Sequence, residues 1–143
     1  MAEEMGYFPV NDERTGETVM VPARAKREST SQAVSLAKHL RDTGAVMYGA
    51  YWCPHCSRQK ELFGREAWKY VRYVECSPKG YQSGYATCLE RGVDGYPSWE
   101  FGNGKSQGGE MELVDIAKLS GYSRTFKASL ETGVPPLGGG SCQ

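Results

Sequence analysis

Two cysteines separated by two residues are the part of this sequence best suited to chemistry. They lie in the run Trp52-Cys53-Pro54-His55-Cys56, which follows an apolar stretch from Val46 to Tyr51 and precedes a polar segment with helical character. A Cys-x-x-Cys pair in the first turn of a helix can form and break a disulfide, because the two sulfurs are close together and the helix N-terminus stabilises a thiolate. The pattern therefore predicts a dithiol redox site.

The two cysteines are predicted to have different roles. Cys53 is the expected nucleophile, because unpaired backbone N–H groups and the helix dipole stabilise its thiolate. Cys56 is then the resolving cysteine, which attacks a mixed disulfide at Cys53 and releases the partner. Pro54 suits the first turn of a helix, and His55 adds a positive charge or a hydrogen bond beside the thiolate. A stabilised Cys53 thiolate favours the reduced enzyme, so the pair is predicted to oxidise or isomerise other thiols.

The chain has five cysteines, which is an odd number for a framework of structural disulfides. With Cys53 and Cys56 as the active pair, Cys76 and Cys88 are left to form a second pair, and Cys142 is expected to be an unpaired, exposed thiol. The first four could instead hold zinc, but strong zinc patterns have a second close pair, which Cys76 and Cys88 are too far apart to form. We expect neither a metal nor a cofactor. Such use of cysteine fits an oxidising compartment.

Composition disfavours several classes of function. Seventeen Lys and Arg residues balance seventeen Asp and Glu residues, so no overall field attracts nucleic acid or an anionic membrane. No apolar stretch approaches the roughly 18 residues that span a bilayer, and residues 1–5 lack the basic and apolar regions of a signal peptide. We therefore expect a soluble monomer with one globular unit.

The chain divides by composition into an arm, a domain and a tail. Residues 1–28 are polar, carry turn signals and have no sustained period, so we interpret them as an arm or linker. Residues 29–122 are predicted to form one α/β domain. Residues 123–143 are predicted to be a C-terminal extension, whose Gly/Pro-rich composition is typical of a flexible linker.

Helix and strand patterns alternate within residues 29–122. The first predicted elements are a helix from 31 to about 42, a strand over 46–51 and a helix from the Cys-x-x-Cys to about Trp68, with Gly64 as a kink. A strand over 71–76 and a short helix over 85–91 follow. The last elements are a hairpin of strands 98–101 and 106–110 and a helix over 112–119. This order matches a minimal thioredoxin fold, with a mixed sheet of about four strands flanked by helices and one extra N-terminal helix.

Several motifs, in order, resemble the thioredoxin-like domain fused to vitamin K epoxide reductase homologues in plants and cyanobacteria. These motifs are Tyr48-Gly49-Ala50-Tyr51-Trp52-Cys53-Pro54-His55-Cys56, Lys60-Glu61-Leu62-Phe63-Gly64, Tyr73-Val74-Glu75-Cys76, Gly95-Tyr96-Pro97-Ser98-Trp99 and Gly109-Glu110. The similarity covers about residues 31–122. It implies a thiol oxidoreductase that takes electrons from reduced protein thiols and passes them to a membrane-embedded quinone reductase. The implied compartment is the thylakoid lumen of the chloroplast or the periplasm.

The resemblance also implies roles for residues around the dithiol. In the resembled fold Pro97 is a cis proline that faces the dithiol, the backbone of Tyr96 pairs with a bound peptide, and Trp52 shields the dithiol and contacts substrate. Pro97 could instead be an ordinary strand-edge proline. Cys76 and Cys88 form either a structural disulfide or a second redox pair like the extra pair of the fused family, and we favour the structural disulfide.

One position departs from the pattern of reducing thioredoxins. These carry a buried acid six residues before the first cysteine, where this chain has Met47. Proton transfer at Cys56 is then expected to depend on water, on His55 or on another acid such as Glu61, which disfavours an efficient reductant.

We therefore predict a thiol–disulfide oxidoreductase that forms disulfides in protein substrates. One alternative is a disulfide reductase or isomerase that is supplied with electrons by another thioredoxin. Another is a non-enzymatic binding or assembly factor whose cysteines are structural or bind zinc.

Overall fold

The computed structural model describes residues 7–131 and 139–143. Residues 1–6 of the predicted arm and 132–138 of the predicted tail lie outside this range. The strands are β1 Phe8–Asn11, β2 Thr18–Val21, β3 Val46–Gly49, β4 Arg72–Glu75, β5 Ser98–Glu100 and β6 Ser106–Gly108. The helices are α1 Ser31–Thr43, α2 Pro54–Phe63, α3 Arg65–Trp68, α4 Tyr85–Glu90 and α5 Leu113–Leu119, followed by a 3-10 helix at Ala128–Leu130.

A mixed four-stranded sheet with the order β4-β3-β5-β6 forms the centre of the fold. β3 is parallel to β4 and antiparallel to β5, and β6 is antiparallel to β5. Helices flank this sheet. The prediction of an α/β thioredoxin-like fold with about four mixed strands is confirmed.

The N-terminal helix α1 begins and ends where the sequence predicts. The side chain of Thr30 caps it by accepting a hydrogen bond from the Ala33 N–H, and Gly44 ends it with a φ of 83°, a conformation that favours glycine. Its apolar face is fully buried in the core and consists of Ala33, Leu36, Ala37 and Leu40. This spacing of three and four residues explains why the helix could be predicted.

The helix after the Cys-x-x-Cys is interrupted by Gly64. The sequence predicts one helix to about Trp68, but α2 ends at Phe63 and α3 starts at Arg65. Gly64 has a φ of 87°, and a Cβ at this position would lie 2.8 Å from the Cα of Ser29. The chain therefore turns at Gly64 because Ser29 packs against it, which is a tertiary contact.

The predicted N-terminal arm contains a hairpin of β1 and β2. All four residues of β1 are exposed, so the strand has no buried face. It therefore lacks the alternation of buried apolar and exposed polar residues from which a strand is predicted. The Met20 N–H donates to Lys79 O at 2.9 Å and the Tyr81 N–H donates to Met20 O at 2.8 Å. Further along, Arg27 donates to Leu62 O at 2.6 Å. The segment is thus attached to the domain at two places.

A disulfide joins Cys76, directly after β4, to Cys88 in α4. Both cysteines are buried, at 1% and 3% exposure, and pack with Tyr48, Val74, Val93 and Tyr96. The bridge closes the loop between a central strand and a short helix. A structural role for this bridge stays the favoured prediction, because the cross-link restricts this loop in the unfolded chain.

Replacing this bridge tests the structural interpretation. We expect the double variant Cys76→Ala/Cys88→Ala to lower the free energy of unfolding by about 3 kcal/mol, because a loop of this length loses its cross-link in the unfolded chain. Urea denaturation in a Cys53→Ser/Cys142→Ser background measures the change with no other described disulfide present.

The matched control is the same comparison in a strong reductant. Most of the difference should then disappear, because the parent protein also lacks the bridge. An unchanged free energy of unfolding in oxidising buffer would contradict the structural interpretation.

Candidate active site

Cys53 lies at the N-terminus of α2, immediately beyond the turn that follows β3. It has extended backbone angles of φ −85° and ψ 117°, and Pro54 is the first residue of the helix. The carbonyl of Cys53 accepts hydrogen bonds from the N–H groups of Cys56 and Ser57 at 3.1 and 3.2 Å. The side chain of Cys53 therefore stands at the positive end of the helix dipole, where a thiolate is stabilised.

The disulfide at this site joins Cys53 to Cys142, and Cys56 is a free, buried thiol. The expectation that Cys142 is an unpaired thiol is therefore wrong. The two Cα atoms are 5.9 Å apart although 89 positions separate the residues in sequence. Spacing along the chain could not reveal this pairing, because it depends on where the tail segment, residues 139–143, is placed.

The residues predicted to contact substrate surround Cys53. The Tyr96–Pro97 peptide bond is cis. Tyr96 O lies 3.5 Å from Cys53 Sγ, and the Trp52 ring meets the Tyr96 ring edge-on at 5.9 Å. The backbone of Tyr96 also pairs with Cys142 in an antiparallel bridge. The structure thus brings Trp52, Tyr96 and Pro97 together with the dithiol, while their contact with substrate stays a prediction.

The thiol of Cys56 is buried in the core, at 1% exposure. Burial raises its pKa to about 12, and the nearby charge of Lys60 offsets part of this increase. Glu75 and Glu110 act in the opposite direction and disfavour the thiolate. Cys56 is therefore protonated at neutral pH in this disulfide state, so its attack on Cys53 requires a group that accepts its proton.

A buried lysine and a buried glutamate lie near Cys56. Lys60 is 4% exposed and Glu75 is 3% exposed. Burial lowers the pKa of Lys60 to about 8, against the effect of the Cys56 and Glu75 charges. Burial also raises the pKa of Glu75, although hydrogen bonds and the Lys60 charge favour its ionised form. Both groups are therefore poised to exchange protons closer to neutral pH than exposed side chains of their types.

Hydrogen bonds hold the Glu75 carboxylate in place. It accepts from the Tyr73 hydroxyl at 2.8 Å and from the backbone N–H groups of Tyr51 and Ser77, each at 3.1 Å. Tyr51 belongs to the turn between β3 and the Cys-x-x-Cys. Glu75 thus connects the end of β4 to the backbone that carries the dithiol.

These groups differ from those expected to handle the Cys56 proton. Met47 is a fully buried core residue, and Glu61 accepts a hydrogen bond from the Lys26 N–H of the N-terminal segment. The ionisable side chains that influence Cys56 are instead Lys60, Glu75 and Glu110.

Two sequence signals could have identified this lysine and glutamate. Lys60 lies four residues after Cys56 and therefore on the same helix face. Glu75 ends the strand parallel to β3, and the carboxyl ends of parallel strands meet at one sheet edge. Both residues also lie within the motifs that carry the family resemblance.

The side chain of His55 is held by a buried carboxylate. Its Nδ1 lies 3.0 Å from Glu110 Oε1, and the guanidinium of Arg58 donates to the same oxygen at 2.9 Å. The Glu110 side chain is fully buried, whereas His55 is partly exposed. The arrangement fixes the imidazole beside the dithiol. Sequence reasoning missed Arg58 and the role of Glu110, because Glu110 comes from the other end of the domain.

Residues 7–131 and 139–143 contain neither a metal-binding cluster nor a membrane-spanning helix. No group of three or more His, Cys, Asp or Glu side chains in this part of the chain is arranged to hold a metal ion. None of the described helices is both long and apolar enough to cross a membrane.

Comparison with known proteins finds a curated relative that is similar to most of this chain. The chain is 44% identical over 115 aligned residues to the thiol-disulfide oxidoreductase LTO1 of Arabidopsis thaliana. The alignment covers 77% of this chain but only 30% of that protein, so the chain spans less than a third of its curated relative. No protein-family model matches the chain.

Replacing Lys60 tests its influence on Cys56. We expect Lys60→Met to slow the resolving step about three- to tenfold at pH 7, because the loss of a positive charge raises the pKa of Cys56 further. The measurement is the rate at which Cys56 releases a small thiol from a mixed disulfide at Cys53, in a Cys142→Ser background. This rate should rise with pH across the neutral range, because the pKa of Cys56, about 12, lies well above it.

The matched control is Lys105→Met, which removes an exposed lysine in the loop between β5 and β6. It should leave the rate within twofold of the parent protein. Equal rates for Lys60→Met and the control would show that Lys60 does not assist Cys56.

Proposed function

We propose that this protein is a thiol–disulfide oxidoreductase in which Cys53 exchanges with protein substrates and Cys56 resolves the mixed disulfide. One observation carries the proposal. A cysteine in an extended segment is disulfide-bonded to Cys53 and backbone-paired with Tyr96, beside a free Cys56. This is the arrangement expected of an enzyme bound to a cysteine-containing peptide.

The proposed oxidation of a substrate dithiol proceeds in two exchanges. A substrate thiolate attacks Cys53 in the Cys53–Cys56 disulfide, a mixed disulfide forms, and Cys56 leaves as a thiolate that takes up a proton. The second substrate thiolate then attacks the substrate sulfur of the mixed disulfide, and Cys53 leaves as a thiolate. Two electrons pass from the substrate to the enzyme, so the sulfurs alone carry the chemistry and no cofactor is needed.

The environments of the two cysteines support the oxidising direction. The helix N-terminus and the nearby His55 stabilise the Cys53 thiolate that oxidation of a substrate releases. A stabilised leaving thiolate makes the Cys53–Cys56 disulfide a stronger oxidant. Met47 in place of a buried acid weighs less against a reductant, because Lys60 and Glu75 are buried ionisable groups near Cys56. The proposed direction therefore depends on Cys53 rather than on the lack of a buried acid.

We further propose where the electrons go. The resemblance to domains fused to vitamin K epoxide reductase homologues favours a membrane quinone reductase of that kind as the acceptor. It also favours the thylakoid lumen or a comparable oxidising compartment. A plant relative, of which this chain spans 30%, is named a thiol-disulfide oxidoreductase, which supports the proposed exchange activity.

Loss of the nucleophile tests the activity itself. We expect Cys53→Ser to abolish oxidation of a reduced protein substrate, because no mixed disulfide can form, whereas Cys142→Ser should retain it. Appearance of substrate disulfides is followed by thiol alkylation and mass analysis. Undiminished oxidation by Cys53→Ser would contradict the proposed role, and equal inactivity of both variants and the parent would favour a binding factor.

The reduction potential tests the direction. We expect Cys53–Cys56 in Cys142→Ser to equilibrate with glutathione at about −120 to −180 mV, the range of disulfide donors and isomerases. Cys142 is replaced so that it cannot form a disulfide with Cys53, and the measured potential then belongs to Cys53 and Cys56. A value near −270 mV would place the pair with thioredoxin and contradict the oxidising direction.

A further inference from the structure

The tail segment is bound next to Cys53 as an added strand. The Cys142 N–H donates to Tyr96 O at 2.7 Å, and the Tyr96 N–H donates to Cys142 O at 2.7 Å. Tyr96 precedes the cis proline Pro97. Backbone pairing of this kind provides affinity for an extended peptide, and the positions beside it provide specificity.

A second anchor lies two residues before Cys142. The Glu110 N–H donates to Gly140 O at 3.0 Å. A Cβ at Gly140 would lie 3.3 Å from Cε1 of His55, and Gly140 has a φ of 97°, which other residues rarely adopt. On the other side, Gly109 approaches the backbone of Gly140 closely, since a Cβ at Gly109 would lie 3.2 Å from Gly140 O. The backbone of the tail segment therefore lies directly on the dithiol site, at a position that fits glycine.

We propose that Cys142 is a third redox-active cysteine and that the tail segment is an intramolecular substrate of the dithiol. This inference rests on the proposed exchange activity of Cys53. It extends that activity by placing a thiol of the same chain in the peptide-binding position. It also gives a recognition rule for other substrates, which are extended peptides with glycine two residues before the cysteine.

The proposed exchange moves a disulfide without net oxidation. Cys56 loses its proton and its thiolate attacks the Cys53 sulfur. The Cys53–Cys142 bond breaks as the Cys53–Cys56 bond forms, and Cys142 leaves as a thiolate that takes up a proton. In the reverse direction the Cys142 thiolate attacks Cys53, and Cys56 leaves. The oxidised chain therefore exists as two disulfide isomers that interconvert without any external oxidant or reductant.

A thiol in the same chain competes strongly with separate substrates. Tethered groups reach effective concentrations on the order of millimolar, so Cys142 holds Cys53 unless a substrate binds better or Cys56 displaces it. In the Cys53–Cys142 isomer the nucleophile is fully buried and Cys56 is 1% exposed. This isomer thus shields both active cysteines from unrelated thiols.

Disulfide mapping of the full chain tests the exchange. The protein is equilibrated in glutathione buffer, quenched with acid, alkylated and analysed by peptide mass mapping. We expect both isomers in the parent protein and Cys53–Cys142 alone in Cys56→Ser. A Cys56→Ser protein that carries glutathione on Cys53 and an alkylated, free Cys142 would overturn the proposal.

Activity distinguishes this inference from the proposed function. Cys142→Ser should oxidise a reduced protein substrate at least as fast as the parent, because the competing thiol is removed. If Cys142→Ser and the parent are both inactive, the proposed function fails, whereas the mapping still reports on the Cys53–Cys142 exchange.

The glycine position tests the recognition rule. We expect Gly140→Val to lower the ratio of the Cys53–Cys142 isomer to the Cys53–Cys56 isomer about tenfold, because valine disfavours a positive φ and crowds His55. Gln143→Ala, which changes an exposed residue next to Cys142, is the matched control and should leave the ratio within twofold. An unchanged ratio in Gly140→Val would contradict the seating of the tail segment.

The same rule is tested with separate peptides on the double variant Cys56→Ser/Cys142→Ser, which retains mixed disulfides. The peptide Gly-Gly-Gly-Ser-Cys-Gln should form a mixed disulfide with Cys53 about tenfold more readily than the same peptide with valine in the third position. Equal formation by the two peptides would contradict the recognition rule.

Discussion

The site depends on the close contact between the start of α2 and the Tyr96–Pro97 peptide. β3 leads through a short turn to Cys53, and β5, which is antiparallel to β3, begins just after Pro97. The sheet register therefore places Tyr96 O 3.5 Å from Cys53 Sγ. The Tyr96 carbonyl and N–H thus lie beside the Cys53 sulfur, where both pair with the backbone of Cys142.

The two active cysteines differ in their place on α2 and in their bonding. Both are buried at its first turn, but Cys53 stands at the helix N-terminus in a disulfide, whereas Cys56 is a free thiol. Burial is the largest of the causes that raise the pKa of Cys56 to about 12. The charge of Lys60 offsets part of this increase, whereas the charge of Glu75, which is buried in the same region, adds to it. The cost of burying them is reduced by their mutual attraction and by the hydrogen bonds that Glu75 accepts.

Small residues make the groove accessible to another backbone. Gly109 approaches the backbone of Gly140, and Gly95 lies below Ser141 and Cys142. The His55 side chain borders the groove on the opposite side. It contacts Glu110, and Arg58 donates a hydrogen bond to the same carboxylate. The groove therefore selects by backbone pairing and by steric exclusion at one position, rather than by a deep side-chain pocket. These features fit an enzyme whose substrates are extended segments of other proteins.

The sequence alone determined the fold class and the position of the dithiol. Alternating helix and strand patterns, the caps of α1 and the Cys-x-x-Cys after an apolar strand are local signals, and each depends on residues close together in the chain. The sequence marked Gly64 as a kink, but only the tertiary structure decided that the helix ends there and a second one starts. The tertiary structure also decided the hairpin of β1 and β2 and the groups near Cys56. The partner of Cys53 was decided in the same way. Cys142 is 89 positions away in sequence, and its pairing depends on backbone hydrogen bonds to Tyr96, which no local pattern encodes.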